Sequence, residues 1–519
     1  MDTRIRNDGT DAAAVDVAIV GCGPVGALAA NLLALEGLSV LAIDREPAPH
    51  PQPRAVHLDH EMMRLFQAVG LDAELAPLMR ETEGHLHIGA DHGVIRYMGT
   101  AGRPKPFGWA NDYFFWQPEL EAVLRAGLDR FDHARLATAT DCVALAQDDG
   151  GVTLRLRDAD GERTVRSNWV IGCDGARSFV RRALGIALDD LRFDEPWLVV
   201  DAEVDAPVRF PPLTGVPAQA DLQRLSVMMC DPARPATIVP GRGSHRRWEF
   251  MLLPGEDDTA MMRPAAVASL VAPYLAGVPH RIVRAATYRF HGLVAEQWRA
   301  GRVLLAGDAA HQTPPFFGQG MCHGMRDVAN LSWKLGLVVR GEASERLLDS
   351  YQSERDPHVR AVIGAAVRAG QYICMLDPVA AGARDADMRA RAASGTNETA
   401  ADLIPAIAAG VILEGSAGAG DRFIQPRLDD GRLLDSAIGA GWRMFTRGGG
   451  APGAPIELRT VDASSLDDGG AILSWLNAHR AEAVLVRPDG YVFGTGTPGV
   501  LAAALADRIG LLQSAGDFS

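Results

Sequence analysis

Residues 21–26 read Gly-Cys-Gly-Pro-Val-Gly, and what flanks them leaves few folds open. Residues 15–20, Val-Asp-Val-Ala-Ile-Val, suit a short buried strand. Residues 27–36 are rich in Ala and Leu, strong helix formers, and stop at Gly37, a suitable C-cap. Residues 39–43 supply a second apolar strand. Strand, helix and strand within about thirty residues make a βαβ unit, the building block of a parallel sheet. In such a unit Gly21 permits the tight turn, Gly23 lets the backbone approach a pyrophosphate, and Gly26 lets the helix pack closely on the strand. Pro24 and Val25 open the helix, whose N–H groups and positive dipole end face phosphates. Asp44 ends the second strand, where a carboxylate hydrogen-bonds ribose hydroxyls. The turn predicts a dinucleotide site without saying which dinucleotide.

The chain of 519 residues is too long for one core, so two or three domains are expected. Lys plus Arg number 51 against 65 Asp plus Glu, a net charge of −14, which argues against a phosphate-tracking nucleic-acid binder. The six cysteines are scattered without a CxxC pair, which predicts reduced thiols in a reducing compartment. Residues 1–14 are polar, without the apolar core of a signal peptide, and no stretch reaches the ~20 apolar residues of a membrane helix. A cytoplasmic protein is expected, as a monomer or homodimer. His85 and His87 alternate as strand positions do and lack nearby ligands, so no metal site is expected.

Further along, residues 152–157 alternate apolar and polar side chains, and Asp160-Gly161 turns them into a similar run, which suggests a hairpin. Residues 169–171 read as another strand, feeding Cys173-Asp174-Gly175. The expected organisation is α/β: a Rossmann-like dinucleotide domain (15–193 and 291–400), a β-rich insert (194–290) and a C-terminal domain (401–519).

Two segments sharpen this reading. One is Cys173-Asp174-Gly175-Ala176-Arg177-Ser178 with Val180-Arg181. The other runs Gly301-Arg302-Val303-Leu304-Leu305-Ala306-Gly307-Asp308-Ala309-Ala310-His311, then Pro314-Pro315-Phe316-Phe317-Gly318-Gln319-Gly320-Met321. Asp308 follows a buried strand at the carboxyl edge, where open α/β sheets bind ligands. Residues 318–321 offer successive N–H groups at a helix start, suited to negative charge on a reduced flavin ring. In this order, the three motifs resemble the single-component FAD-dependent aromatic hydroxylases.

The resemblance implies non-covalent FAD across a split domain, with Asp44 on the adenosine ribose and Asp308 on the ribityl chain. It also implies Arg54 near the pyrophosphate, Gln117 near the flavin, and Asp174 and Arg177 serving both FAD and the nicotinamide nucleotide. Gly307, Pro315, Gly318, Gln319, Gly320 and Met321 would cradle the ring. Asp44-Arg45 stands where many members carry Glu followed by Arg. Gly420-Asp421-Arg422, Leu433-Leu434-Asp435 and residues 486–490 are similar to the thioredoxin-like C-terminal domain of the phenol-hydroxylase branch; lacking a CxxC, that domain is expected to be structural.

Residues 197–201, 230–235 and 247–251, with 324–327 and 330–335, are similar to 3-(3-hydroxyphenyl)propionate hydroxylases. The implied activity is hydroxylation of a phenolic acid with NADH or NADPH and O2 through a flavin C4a-hydroperoxide, in the breakdown of aromatic compounds. His57 is the candidate base for the phenol, with Pro315 and Gly318 positioning the flavin. Tyr113, Phe114, Phe115 and Trp116 are candidate pocket walls. The same motifs also allow epoxidation or Baeyer–Villiger insertion on a polyketide or other ring, or a non-catalytic FAD-binding protein.

Overall fold

The computed structural model describes residues 14–394, 404–448 and 456–510. The expected domain boundary near residue 400 and most of the N-terminal segment lie outside them. The first strand, Val15–Val20, lies inside an eight-stranded sheet. It pairs in parallel with Gly161–Gly172 through Val17↔Trp169 and with Val40–Ile43 through Val17↔Val40. Val303–Leu305 and Ala134–Ala137 extend the parallel core on either side. The helix Pro24–Leu35 follows the glycine turn and packs against the 20-residue helix Gly320–Val339. Covered strands of this kind read as continuous apolar runs, which is why this unit was visible in the sequence.

Residues 169–171 are not a separate strand. Gly161–Gly172 is one 12-residue strand with two partners. Its outer half makes the expected hairpin with Gly151–Asp158, closed at Asp158↔Gly161, and its buried half joins the parallel core.

A second eight-stranded sheet runs in the order His311–Gln312, His280–Ala295, Leu188–Val204, His245–Met251, Ala236–Pro240, Ser226–Met229, Gly84–Ile88, Val94–Gly99. Two of its strands thus come from well before residue 194. On its outer face Leu198, Val200, Trp248 and Phe250 pack with Val267 and Val271 of the helix Pro264–Leu275. On its inner face Trp197, Met228 and Met251 join the core of the dinucleotide sheet.

A four-stranded sheet closes the chain, ordered Leu458–Asp462, Trp442–Thr446, Ala483–Val486, Val492–Gly496, with helices Ala471–Ala478 and Pro498–Ile509. The first pair is parallel and the other two antiparallel. Buried polar contacts fasten this unit to the rest. Arg487 Nη2 lies 2.7 Å from Glu354 Oε2, Tyr491 donates its hydroxyl to Glu61 at 2.7 Å, and Arg64 Nε donates to Asp435 at 2.6 Å. Among the described residues no helix is long and apolar enough to cross a membrane.

Candidate active site

The glycine turn leaves the carboxyl end of the first strand. Gly21 has φ +94°, and a Cβ there would stand 2.5 Å from the carbonyl oxygen of Cys173; a Cβ on Gly26 would collide with the carbonyl of Gly21. Gly23 differs, because a Cβ there meets no atom within 4 Å. Two glycines therefore serve internal packing, and the middle one faces open space. Asp44 accepts from Cys22 N at 2.9 Å, from Glu46 N at 2.9 Å and from Arg125 Nη2 at 3.0 Å. Arg125 also donates to Cys22 O at 2.9 Å, so one buried guanidinium locks the turn to the carboxylate. No local pattern announces Arg125; it comes from a different helix, Gln117–Ala126. Arg45 is exposed and pairs with Glu46 at 3.3 Å.

The next two motifs meet at the same edge. Asp174 Oδ2 accepts from Val180 N at 3.0 Å, while its buried Oδ1 has no partner. Arg181 joins the motifs, donating to Ala309 O and Ala176 O, both at 2.9 Å. Arg177 is exposed beside them. Gly307 N donates to Asp327 at 3.1 Å, and Asp327 also takes His311 Nε2 at 2.6 Å and Arg355 Nε at 2.9 Å. His311 is thereby a structural member of a buried ion cluster. Asp308 has no hydrogen-bond partner among the described residues. It is open to water yet crowded by protein, and the desolvation pushes its carboxyl above the usual range despite His311 and Arg54.

Gln117 braces the segment that carries Arg54. Its Oε1 accepts from Arg54 N at 2.9 Å and Ala55 N at 2.8 Å, and its Nε2 donates to Glu121 at 2.6 Å. The Arg54 side chain remains exposed. Beyond the short 3-10 turn Pro315–Phe317, Gly318 has φ +63°, and Gln319 caps the helix that begins with Gly320 and Met321. A Cβ on Gly318 would stand 2.6 Å from His57 Nδ1, whereas one on Gly320 meets nothing within 4 Å.

A family model described as "FAD binding domain" matches residues 14–366. The chain is 35% identical over 534 residues to the probable NADH-specific resorcinol 4-hydroxylase of Rhodococcus jostii (strain RHA1), covering 98% of this chain and 97% of that one. It is 36% identical over 533 residues to a 3-(3-hydroxy-phenyl)propionate/3-hydroxycinnamic acid hydroxylase of Burkholderia cenocepacia (strain HI2424), covering 94% and 95%. The chain belongs to the FAD-dependent aromatic hydroxylases. Its fold is that of the flavin-dependent monooxygenase PieE, solved with FAD and substrate, at TM-score 0.78, 23% identity and 95% and 99% coverage.

The hydroxylase is thus an enzyme that uses FAD and a nicotinamide co-substrate. Its residues fit FAD on this structure's own terms: open space at Gly23, an orphaned buried oxygen on Asp174, and an unpartnered carboxylate at Asp308.

Beside Gly318, the hydroxylase holds His57 in the three-stranded sheet with Asp112–Phe114. His57 Nε2 lies 3.0 Å from Asp112 Oδ1. Burial disfavours the imidazolium, but the bond to Asp112, its charge and that of Asp59 outweigh this and raise the pKa. The ring of His85 sits 5.8 Å from that of His57, and burial lowers the His85 pKa to about 4. His87 is fully buried against the hydroxyl of Tyr372 at 2.8 Å. Phe114 and Phe115 are core residues rather than walls of an open pocket, and Trp116 packs edge-on to His245. Aromatic density lies instead at Trp197, stacked on Phe290 with 5.7 Å between centroids and edge-on to Phe316. Burial pushes the thiols of Cys22, Cys142 and Cys230 up to about 12, so none is poised as a nucleophile. Among the described residues no cluster could hold a metal ion. Cavities of about 740 and 340 Å³ line the seam with the C-terminal unit and contain no residue of the glycine turn, Asp308 or Gly318.

Proposed function

We propose that this enzyme hydroxylates a meta-substituted phenol of the 3-hydroxyphenylpropionate or resorcinol kind, with NADH or NADPH as reductant. The balance is phenol, O2, NAD(P)H and a proton giving the arene with one more hydroxyl, NAD(P)+ and water. The observation that carries this reading is near-full-length similarity to relatives bearing both names. Bound FAD supplies the redox chemistry, and the protein binds, aligns and excludes water. The pyrophosphate falls to Gly21, Gly23, Pro24, Val25, Gly26 and Arg54, the adenosine ribose to Asp44 with Arg45 at its rim, and the ribityl chain to Gly307 and Asp308. Gln117 acts through the 54–55 backbone that it braces. Asp174 and Arg177 serve the FAD and nicotinamide side. Pro315 and residues 318–321 cradle the ring, where the Asp112-supported charge of His57 favours an electron-rich flavin. The absence of any CxxC pair suits a cytoplasmic enzyme; it would act as a monomer or homodimer.

The test is NADH and NADPH consumption by the FAD-loaded enzyme with resorcinol, 3-(3-hydroxyphenyl)propionate and a non-phenolic ketone. Phenol-dependent oxidation with a new ring hydroxyl, located by NMR, is the expected result. Turnover of the ketone to an ester, with the phenols inert, would overturn it.

A further inference from the structure

Resting on that reading, we infer that Glu249 and Thr237 form the pair that takes a phenolic hydroxyl of the substrate, Glu249 receiving its proton. The strand His245–Met251 alternates its faces. Trp248 and Phe250 enter the outer core against the helix Pro264–Leu275, so Arg247, Glu249 and Met251 face the other way. That side is the flavin side. Arg247 donates to the carbonyls of Pro53 at 2.7 Å and Arg54 at 2.8 Å, and Met251 joins the core of the dinucleotide sheet. Pairing sets the row across the sheet: Val199 beside Glu249, Glu249 beside Thr237, Thr237 beside Met228, Met228 beside His87.

Glu249 and Thr237 are buried, at 9% and 4% exposure. Thr237 Oγ1 is enclosed and makes no hydrogen bond, and Glu249, whose oxygens keep some access, has no hydrogen bond or ion pair among the described residues. The nearest cation is already committed. Arg247 spends its donors on Asp201, at 2.8 and 3.1 Å, and on the two carbonyls. The charged groups acting on Glu249 are Arg247 on its own strand and Asp201 on the neighbouring one. From the other elements facing this side of the sheet come His85 and His87 with lowered pKa, the His57–Asp112 pair and Arg54. Burial, opposed by Arg247 and reinforced by Asp201, pushes the Glu249 carboxyl up to about 7.

An enclosed hydroxyl without a partner is costly unless something supplies its hydrogen bond, and the Glu249 carboxyl on the paired position, unpaired by protein, adds an acceptor that the same ligand group can meet. A substrate carboxylate would add a like charge next to Glu249 in a desolvated wall, so the group that fits is a neutral hydroxyl. Glu249 accepts its hydrogen while Thr237 Oγ1 donates to its oxygen. As the proton moves to Glu249 Oε, the O–H electron pair stays on the phenolic oxygen and enriches the ring positions ortho and para to it. Glu249 then returns the proton to solvent.

The experiment compares FAD-loaded wild type, E249Q and T237V on resorcinol and 3-(3-hydroxyphenyl)propionate across pH 5 to 9. Expected are normal FAD content in both variants and a wild-type kcat/KM that rises with pH through about 7. E249Q should lose that rise and fall on the order of tenfold or more, and T237V should raise KM severalfold with the rise retained. If wild type hydroxylates both phenols while E249Q stays within twofold and keeps its pH rise, the inference fails and the function stands. Should E249Q fail to fold, an unaltered KM in T237V overturns it equally. If wild type hydroxylates no phenol, the function itself fails and this inference with it.

Discussion

Asp308 lies in the 3-10 turn Gly307–Ala309 beyond the strand Val303–Leu305, with no partner among the described residues, and the protein crowded around it raises its pKa. A ligand hydroxyl at that water-exposed edge can donate to a carboxylate that the protein leaves free. Asp308→Ala is expected to weaken FAD binding about ten- to a hundredfold, the loss of one charge-assisted hydrogen bond, read by fluorescence titration of the apoprotein. Glu249 gives a test at the same scale that needs no substrate. Its pKa is raised from 4.5 to about 7, so the folded state holds its proton more tightly than the unfolded chain. The stability it contributes is complete below pH 4.5 and lost as pH rises through 7, a span worth on the order of 3 kcal/mol. Glu249→Gln does not titrate, so its stability relative to wild type should improve between pH 5 and pH 8. Equal melting differences at both pH values would remove the raised pKa from the account.

At the scale of the turn, the three glycines are not equivalent. Gly26→Ala drives a methyl into the carbonyl of Gly21, backbone against backbone, and should destabilise even the apoprotein by about 1–3 kcal/mol. Gly23→Ala meets nothing within 4 Å, so the apoprotein should melt as before while FAD affinity falls. Thermal melts with and without FAD separate the two; equal apoprotein losses would mean that Gly23 is also a packing glycine. Arg125 makes the same element dependent on a distant helix. Its truncation leaves Asp44 and the Cys22 carbonyl without their shared donor.

Across the whole molecule, the C-terminal unit is held by ions rather than by thiols. Arg487, fully buried, meets Glu354 at 2.7 Å and Asp489 at 2.6 Å, and Glu354 also meets Lys334 at 2.9 Å. From the other side Tyr491 reaches Glu61, Glu61 reaches Arg326 at 2.7 Å, and Arg326 donates to Gln319 in the flavin turn at 3.1 Å. The unit thereby reaches the turn proposed to cradle the flavin through three side chains. Arg487→Met leaves buried Asp489 without its cation and Glu354 with Lys334 alone, and should cost about 3–5 kcal/mol, seen as an early transition in urea. Tyr491→Phe removes one neutral donor to a carboxylate and should cost about 1.5–3 kcal/mol with a measurable loss of FAD affinity. Unchanged FAD binding in Tyr491→Phe would confine that contact to stability.

The sequence by itself determined the βαβ unit, the cofactor class and the order of the three motifs. Those signals are local: a turn needs its glycines at fixed spacing, and covered parallel strands need unbroken apolar runs. Of the aromatic residues 113–116, Phe114 and Phe115 proved to be core while Tyr113 lines the larger cavity at the C-terminal seam, because sequence reveals ring content but not burial. Arg125 carried no sequence signal, and Arg181 and Asp327 stood inside recognised segments without an assigned role, because each acts on a partner brought near only by the fold. Glu249 is the sharpest case. Every residue of His245–Met251 is buried, so exposure does not separate its two faces. Which face turns toward the dinucleotide sheet follows from pairing with strands near residues 200 and 237, and a slip of one residue would exchange Glu249 for Trp248. Only the tertiary structure makes that choice, because register is set by long-range packing.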